Sequence, residues 1–214
     1  MRSKLIAALG FTILLLFLSV QNAVSSLTVT TAYDYVQFTG GNPITYTGTV
    51  PGSYTISGTS TSGTASGSLE VTRGNGSLDY TWSATSALLN GVGIQVKDDF
   101  TLSGTEDFQF TYTDSYTYAN GYLENTTTGA VIEKFGWVTG DTGPSPPFTI
   151  SGVLASGNYE LQFTTGALPV PPNGESESGE ASIVTTAVTP IPGGIWLFGS
   201  GLVGLIGLKR KYLG

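Results

Sequence analysis

Hydrophobic and polar residues alternate along four segments of this chain. The segments are residues 27–35, 78–82, 108–112 and 159–163, and the first places Leu27, Val29, Tyr33 and Tyr35 on one face. A period of two is typical of a strand with one face in a core and the other in water. No segment between residues 26 and 188 sustains the period of a helix. The pattern therefore predicts an all-β domain.

Turn-forming residues separate these segments. Glycine, proline, asparagine and aspartate cluster at residues 40–43, 51–52, 74–76, 90–91, 120–121, 140–143 and 157–158. Short strands punctuated in this way favour an antiparallel β-sandwich, of the jelly-roll or immunoglobulin-like kind. Residues 59–68 consist of Thr, Ser, Gly and Ala, which predicts a hairpin tip or an exposed edge. We expect one sandwich domain over residues 26–188, long enough to bury a core.

The first 25 residues have the three parts of a secretory signal peptide. Arg2 and Lys4 give a positive start, residues 5–18 are apolar, and small residues follow at the positions that signal peptidase inspects. We predict cleavage after Ser25, and cleavage after Ser26 is nearly as well supported. An uncleaved anchor is the alternative, although the apolar stretch is shorter than the roughly 20 residues of a spanning helix.

The C-terminal residues 189–214 form a second signal, also with three parts. The first is a proline element, made of Thr189, Pro190, Ile191 and Pro192. The second is an apolar segment that includes Ile195, Trp196, Leu197, Phe198 and Leu208. The third is a basic cluster, made of Lys209, Arg210 and Lys211.

The apolar segment of this tail is marginal as a transmembrane helix. A helix over residues 195–208 would be about 21 Å long, against a hydrocarbon core of about 30 Å. The basic cluster would lie in the cytoplasm by the positive-inside rule, and the body would lie outside, as the signal peptide also indicates. A buried core helix is the alternative interpretation of the same run.

The tail resembles the PEP-CTERM sorting signal of bacterial envelope proteins, in its V-P-L-P variant. The resemblance covers residues 188–211, with Ile191 at the position of the name-giving glutamate and an unusual Thr189 before the first proline. It implies that exosortase, an inner-membrane peptidase or transpeptidase, cuts near the proline element and delivers the body to the cell surface, often in bacteria that make extracellular polysaccharide. It also implies that residues 157–166 and the last strand form a final hairpin.

The body of the chain is strongly acidic and contains neither cysteine nor histidine. All 15 acidic residues but only three of the eight basic ones lie in it, a net charge of about −12. This charge disfavours nucleic acid as a partner. Without cysteine and histidine there is no disulfide, thiol nucleophile, Ser-His-Asp triad or ordinary zinc site. We therefore expect no cofactor, no metal and no enzymatic activity.

Two carboxylate doublets are the remaining candidates for acid-base chemistry or calcium binding. They are Asp98-Asp99 and Glu106-Asp107. Adjacent residues of a strand point to opposite faces, so each doublet places at most one carboxylate on a given side. No calcium-loop pattern accompanies them. We interpret them as solvated surface charge, with a calcium site and catalysis as alternatives.

Aromatic residues are candidates for stacking on sugar rings. Tyr112, Tyr116, Tyr118 and Tyr122 form the densest cluster, and alternate positions of a strand share a face. We interpret these tyrosines first as core or cross-strand packing, with a sugar-binding row as the alternative.

These observations predict an exported, non-enzymatic β-sandwich protein of the bacterial envelope or extracellular matrix. Its expected partners are signal peptidase, exosortase, the inner membrane before processing, and extracellular polysaccharide or biofilm. One alternative is a carbohydrate-binding module, recognisable by a flat row of aromatic residues on an exposed face. The other is a glycan-acting enzyme, which needs two carboxylates about 5–9.5 Å apart in a cleft.

Overall fold

The computed structural model describes residues 25–48, 52–87, 89–115, 119–136, 143–169 and 174–188. Residues 1–24 of the predicted signal peptide lie outside this part of the chain, and so does the predicted sorting tail, residues 189–214. In the described ranges there is no helix with the length and apolar character needed to cross a membrane.

The described residues form β-strands joined by turns and loops. In chain order they are β1 (Thr28–Phe38), β2 (Ile44–Thr47), β3 (Gly52–Thr59), β4 (Ser66–Gly74), β5 (Ser77–Thr85), β6 (Val92–Leu102), β7 (Glu106–Asp114), β8 (Asn120–Asn125), β9 (Ala130–Gly136), β10 (Phe148–Leu154), β11 (Gly157–Thr165) and β12 (Ser176–Ala187). The four alternating segments of the sequence fall in β1, β5, β7 and β11, as predicted. The serine- and threonine-rich residues 59–68 contain the tip of the β3–β4 hairpin.

These strands build two antiparallel sheets. Sheet A has the order β2-β1-β6-β11-β8-β9, and sheet B has the order β10-β7-β12-β5-β4-β3. The antiparallel β-sandwich is thus confirmed. The predicted final hairpin, formed by residues 157–166 and the last strand, is wrong. Strand β11 pairs with β6 and β8 in sheet A, whereas β12 pairs with β5 and β7 in sheet B.

Aromatic rings dominate the core between the sheets. The Phe163 ring of sheet A lies 5.4 Å from Tyr80, 5.5 Å from Trp82 and 5.7 Å from Tyr112, all on sheet B. Gly179 on β12 faces the Trp82 indole, and a Cβ there would come within 2.3 Å of the ring. The indole therefore packs directly on the backbone of the neighbouring strand.

Strand β1 buries the face that its alternation predicts to be exposed. Tyr33 and Tyr35 were expected in the core, but both point outward, and 41% of the Tyr33 surface is exposed. A β-bulge that follows Val29 shifts the register, and such a shift exchanges the two faces of a strand. The side chains of β1 that reach the core beyond the bulge belong to Ala32, Asp34, Val36 and Phe38.

A buried ion cluster joins the two sheets. Arg73 on β4 of sheet B forms salt bridges of 2.7 Å to Asp34 on β1 and to Asp98 on β6, both in sheet A. The Tyr80 hydroxyl donates to Asp98 over 2.6 Å, and the Tyr54 hydroxyl donates to Asp34. The side chains of the arginine and of both aspartates are at most 1% exposed. Removal of one partner would leave a charge buried without compensation.

Aromatic rings complete the surroundings of the guanidinium. Among the described residues, Nη1 of Arg73 has no hydrogen-bond acceptor. The guanidinium carbon lies 4.8 Å from the centre of the Tyr54 ring and 5.6 Å from that of Tyr46. The two rings are stacked, with their centres 3.7 Å apart. Since the face of an aromatic ring attracts a cation, the rings offset part of the cost of burying Nη1.

The two aspartates of the cluster oppose each other's ionisation. Burial, followed by the charge of Asp98, raises the pKa of Asp34 to about 6, although hydrogen bonds from Tyr54 and the Arg73 charge act the other way. Burial likewise raises the pKa of Asp98. A single arginine therefore does not fully compensate two ionised carboxylates in this core.

Replacement of Arg73 is expected to destabilise the sandwich strongly. Arg73→Met leaves two buried carboxylates without their cation, which costs about 3–5 kcal/mol. The exposed Lys134→Met is the control and should change the free energy of unfolding by less than about 0.5 kcal/mol. Urea denaturation of both variants gives the comparison. Equal effects would contradict the structural role of the buried cluster.

The raised pKa of Asp34 predicts a pH-dependent loss of stability. A carboxyl group with a higher pKa in the folded state favours folding while it is protonated, and this contribution is lost as pH rises from about 4 to about 6. Asp34→Asn removes the titration. As the pH rises from about 4 to about 6, the urea midpoint of the variant should therefore increase relative to that of the wild type. A difference that stays constant between pH 4 and pH 7 would contradict the prediction.

Candidate functional site

The outer faces of the two sheets differ in chemistry. In the described strands of sheet B, the outward positions carry hydroxyl and carboxyl groups, few apolar side chains and no aromatic side chain. Many of these groups bond to each other, for example Ser68 to Ser83 over 2.8 Å and Ser182 to Asp79 over 2.6 Å. This face is a hydrated hydroxyl surface.

The outer face of sheet A combines tyrosines with long polar side chains. One register row crosses five strands: Lys97 pairs with Gln162, Gln162 with Tyr122, and Tyr122 with Lys134. The pairing of Tyr35 with Gln95 places Tyr33 opposite Lys97 at the other end of the row. We call this set the tyrosine row; it consists of Tyr33, Lys97, Gln162, Tyr122 and Lys134.

Hydrogen bonds fix the centre of the tyrosine row. The Tyr122 hydroxyl lies 2.5 Å from Oε1 of Glu160 and 3.0 Å from Oε1 of Gln162. Nζ of Lys97 forms a salt bridge of 2.9 Å with Oε2 of the same Glu160. Glu160 thus holds both the tyrosine and the lysine in place. Side chains that are held before a ligand arrives lose less conformational entropy on binding.

A second row and a groove extend this face. Tyr35, Gln95, Thr164 and Asn120 pair in register next to the tyrosine row. Beside this second row lies an open groove of about 370 Å³, which is lined in part by Thr164 and Gly93. A Cβ at Gly93 would meet no atom within 4 Å, so the missing side chain leaves a depression in the sheet surface.

The aromatic residues of this face do not form a flat row. The rings of Tyr33 and Tyr35 stand at 70° to each other, with their centres 5.8 Å apart. Tyr122 lies three strands away, which is about 14 Å at the usual strand spacing. The face therefore has tyrosines at two places with polar groups between them.

The carboxyl groups beside the tyrosine row behave as a pair. Asp99 and Glu160 lie opposite each other on β6 and β11. Burial, then the Glu160 charge, raises the pKa of Asp99. Burial acts to raise the pKa of Glu160 too, but hydrogen bonds from Tyr122 and Lys97 outweigh it and hold this pKa below its ordinary value. The two carboxyl groups interact with each other directly, so they are not placed as the separate acid and base of a glycosidase.

The only lysines of the body both belong to the tyrosine row. Between residues 25 and 188 the sequence contains Lys97, Lys134 and one arginine, the buried Arg73. The surface cations of an acidic body are therefore concentrated in one row of one face. The Lys97 side chain is 41% exposed, so part of it can be reached from solvent while its ammonium group pairs with Glu160.

The two carboxylate doublets separate as strand geometry requires. Asp98 and Glu106 are fully buried, whereas Asp99 and Asp107 point outward. Their strands, β6 and β7, belong to different sheets, so the doublets do not converge on one site. The interpretation as solvated charge is thus wrong for Asp98 and Glu106. Within the described ranges, no group of three or more acidic residues is placed to hold a metal ion.

The tyrosine cluster of the sequence is also divided. Tyr112 is buried in the core, and Tyr122 lies on the outer face of sheet A. Tyr116 and Tyr118 lie outside the described residues. A single sugar-binding row that includes Tyr112 is therefore wrong. Tyr33 and Tyr35 were not predicted as surface residues, because they continue the alternation of Leu27 and Val29. Only the bulge after Val29 turns them outward.

The sorting residues of the tail lie outside the described residues. These are Thr189, Pro190, Ile191 and Pro192 of the proline element, Ile195, Trp196, Leu197, Phe198 and Leu208 of the apolar segment, and Lys209, Arg210 and Lys211 of the basic cluster. Their roles stay predictions.

Comparisons with known proteins return structures of low similarity. No protein-family model matches the chain, and no curated protein does. An α-xylosidase of family GH31 from Xanthomonas citri aligns over 78% of this chain and 19% of its own, with a TM-score of 0.32 and 10% identity. The adhesin domain of Epf from Streptococcus pyogenes aligns over 77% and 65%, with a TM-score of 0.29 and 9% identity. The chain spans less than two thirds of either protein.

A third structure is a family 29 carbohydrate-binding module in complex with mannohexaose. It aligns over 78% of this chain and 99% of its own, with a TM-score of 0.24 and 11% identity.

Proposed function

We propose that this protein is a carbohydrate-binding β-sandwich that uses the outer face of sheet A. The flat aromatic row expected of such a module is not found among the described residues of this face. The observation that carries the proposal is instead the tyrosine row, in which Tyr33 and Tyr122 stand at either side of Lys97 and Gln162. The outer face of sheet B has no comparable arrangement, because the outward positions of its described strands carry no aromatic side chain.

The chemistry of the row suits a sugar. A pyranose ring has C–H groups on its faces and hydroxyl groups at its rim. A tyrosine ring can cover the C–H face, while its hydroxyl stays available for hydrogen bonds. Lysine and glutamine supply donors and an acceptor for the rim, and Glu160 adds acceptors. The polar side chains between the tyrosines would therefore fix the orientation of the sugar.

The length of the row suggests a chain of sugars rather than one. Tyr33 and Tyr122 are separated by three strand spacings, about 14 Å. This exceeds the size of one pyranose ring. The adjoining second row and groove lengthen the face further. We therefore propose a neutral oligosaccharide or polysaccharide as the ligand, because the acidic body repels a polyanion.

We propose that the protein acts by binding rather than catalysis. Among the described residues, Asp99 and Glu160 lie opposite each other on an open sheet and interact with each other, rather than standing apart as an acid and a base for hydrolysis.

We further propose that the sandwich is exported and sorted to the bacterial envelope. The support is in the sequence: the N-terminal signal pattern and the resemblance of residues 188–211 to the PEP-CTERM signal. Signal peptidase and exosortase would process the two ends. A polysaccharide-binding body at the cell surface would then contact the extracellular matrix.

Removal of an outward tyrosine ring should weaken polysaccharide binding. Tyr33→Ala and Tyr122→Ala lose a contact surface worth about 1 kcal/mol, which corresponds to a fivefold to tenfold weaker affinity. Tyr33→Phe keeps the ring and should bind within about twofold of the wild type. Affinity electrophoresis on neutral polysaccharides, for example a mannan and a β-glucan, gives the comparison.

A matched pair of glutamines tests the location of the binding face. Gln162→Ala lies in the tyrosine row, whereas Gln109→Ala changes an exposed glutamine on sheet B. Only the first should weaken binding. Equal loss in both variants, or no retardation of the wild type on any polysaccharide, would reject the proposed face.

Processing at the tail should remove the apolar segment. We expect the mature protein in its native host to lack the residues from Ile195 onward, because exosortase would cut near the proline element. Intact mass and C-terminal peptides of the surface fraction provide the measurement. Replacing Lys209, Arg210 and Lys211 by Glu should accumulate precursor, since the cytoplasmic charges set the topology. A surface protein that retains the peptide containing Trp196 would argue for a permanent anchor.

A further inference from the structure

We infer that Glu106 is the buried acceptor for the new amino terminus that forms when signal peptidase cuts between Ser25 and Ser26. The inference rests on the proposed export of the chain. It assigns a role to a buried carboxylate at the end of the sandwich, far in sequence from the residues that contact it.

The contacts already converge on the bond to be cut. The backbone nitrogen of Ser26 donates to Oε1 of Glu106 over 2.6 Å, and the Ser26 hydroxyl donates to the same oxygen over 2.5 Å. The Ser25 hydroxyl donates to Oε2 over 2.8 Å. Glu106 itself has no exposed surface. The nitrogen of the predicted cleavage bond is therefore in contact with a buried carboxylate.

Cleavage would convert this contact into an ion pair. Hydrolysis adds one water across the Ser25–Ser26 peptide bond, leaving a carboxylate on Ser25 and an amine on Ser26. The amine takes up a proton and becomes an ammonium group with three donors. Its positive charge would form beside Glu106, which has no salt bridge in the described part of the chain. A charge-assisted hydrogen bond is stronger than one from a neutral amide.

The second oxygen of Glu106 would not be left without a partner. Loss of Ser25 removes one donor from Oε2. The Thr185 hydroxyl on β12 lies 2.6 Å from the Ser25 hydroxyl, so after the loss of Ser25 its hydrogen would be available to the Glu106 carboxylate. The ammonium group would also have hydrogens to spare. Burial acts to raise the pKa of Glu106, but the donors from Ser26, Thr185 and Ser25 outweigh it, so the group is ionised and ready for a cation.

The same contacts distinguish between the two cleavage sites that the sequence leaves open. A cut after Ser26 would remove the nitrogen and the hydroxyl that bond Oε1. It would also remove the acceptor of the Ser103 backbone amide, which donates to the Ser26 hydroxyl over 2.9 Å. The Ser103 amide is exposed and can bond to water instead, but the Glu106 carboxylate is buried, so the loss of its partners is costly. The geometry therefore favours Ser26 as the first residue of the mature chain.

The test begins with the full chain expressed with its own signal in a bacterial host. N-terminal peptide mass spectrometry of the exported protein should give Ser26 as the first residue. The α-amine should then react at least tenfold more slowly with an acylating reagent at pH 8 than the α-amine of Glu106→Gln. Asp107→Asn, the exposed neighbour on the same strand, is the matched control and should react like the wild type.

A pH titration provides a readout that needs no variant. An ion pair with Glu106 raises the pKa of the α-amine above its usual value of about 7.7–8.0, so the reaction rate of the wild type should rise only at higher pH. The stability from this pair should be fully present below about pH 7.7 and lost as pH rises through the raised pKa. This profile keeps the test valid if Glu106→Gln does not fold.

Different results would reject the role of Glu106 and the export of the chain. A mature chain that begins at Leu27, or an α-amine that reacts equally in the wild type and in Glu106→Gln, overturns the role of Glu106 but leaves export intact. Recovery of the protein with residues 1–25 still attached overturns both. Polysaccharide binding of the sandwich is measured separately, so its failure leaves the docking of Ser26 unaffected.

Discussion

The buried guanidinium of Arg73 is the interaction on which the arrangement of this sandwich depends. It reaches from β4 in sheet B to carboxylates on β1 and β6 in sheet A, so it fixes the two sheets against each other at one place. A charge in such a site is tolerated only with charged and hydrogen-bonded partners. That requirement explains why an aspartate occupies a core position of β1. The stacked rings of Tyr46 and Tyr54 cover the remaining side of the cation.

The orientation of the candidate binding face follows from the same constraint. Asp34 can reach Arg73 only if it points inward, and its neighbours Tyr33 and Tyr35 must then point outward. Oδ1 of Asp34 also accepts a hydrogen bond of 3.2 Å from the backbone nitrogen of Lys97, whose side chain lies in the tyrosine row. The inner ion cluster and the outer row are thus two sides of the same pair of strands.

The sequence predicts the fold class well, because alternation is a local property. The strands around Tyr80, Phe110 and Leu161 bury the residues that their pattern indicates. Which side chains of β1 point into the core cannot be predicted in this way. A bulge adds one residue without a clear local signal, and the inward Asp34 is acceptable only because Arg73 lies 39 residues later in the chain.

The candidate site is even less accessible to sequence reasoning. The tyrosine row is assembled from five strands whose order in the sheet differs from their order in the chain. Tyr33 and Tyr122 become members of one row only through the pairing of β6 with both β1 and β11. No spacing along the chain encodes this. By contrast, the terminal signals are contiguous, so their residues could be identified directly, although they lie outside the described part of the structure.

Cross-sheet polar contacts take the place that disulfides often have in exported domains. The chain has no cysteine, so its sheets are joined by packing and by buried polar groups alone. At one end of the sandwich, Glu177 of β12 accepts hydrogen bonds of 3.2 Å from Trp82 of its own sheet and of 3.1 Å from the backbone of Gly166, which follows β11 of the other sheet. Thr165 contacts Glu177 and also lies 2.8 Å from Asp114.

The chemistry of this second cluster differs from that of the first. A threonine hydroxyl has one hydrogen, so the Thr165 hydroxyl shares it between the two carboxyl groups. Burial raises the pKa of Glu177, and the nearby Asp114 charge adds to this effect, although hydrogen bonds from Thr165, Trp82 and the Gly166 backbone act the other way. Arg73 joins the sheets through opposite charges, whereas Glu177 joins them through hydrogen bonds from Trp82, Thr165 and Gly166. An acidic chain with a single arginine in its body therefore fastens its sheets at a second place through hydrogen-bond donors that carry no charge.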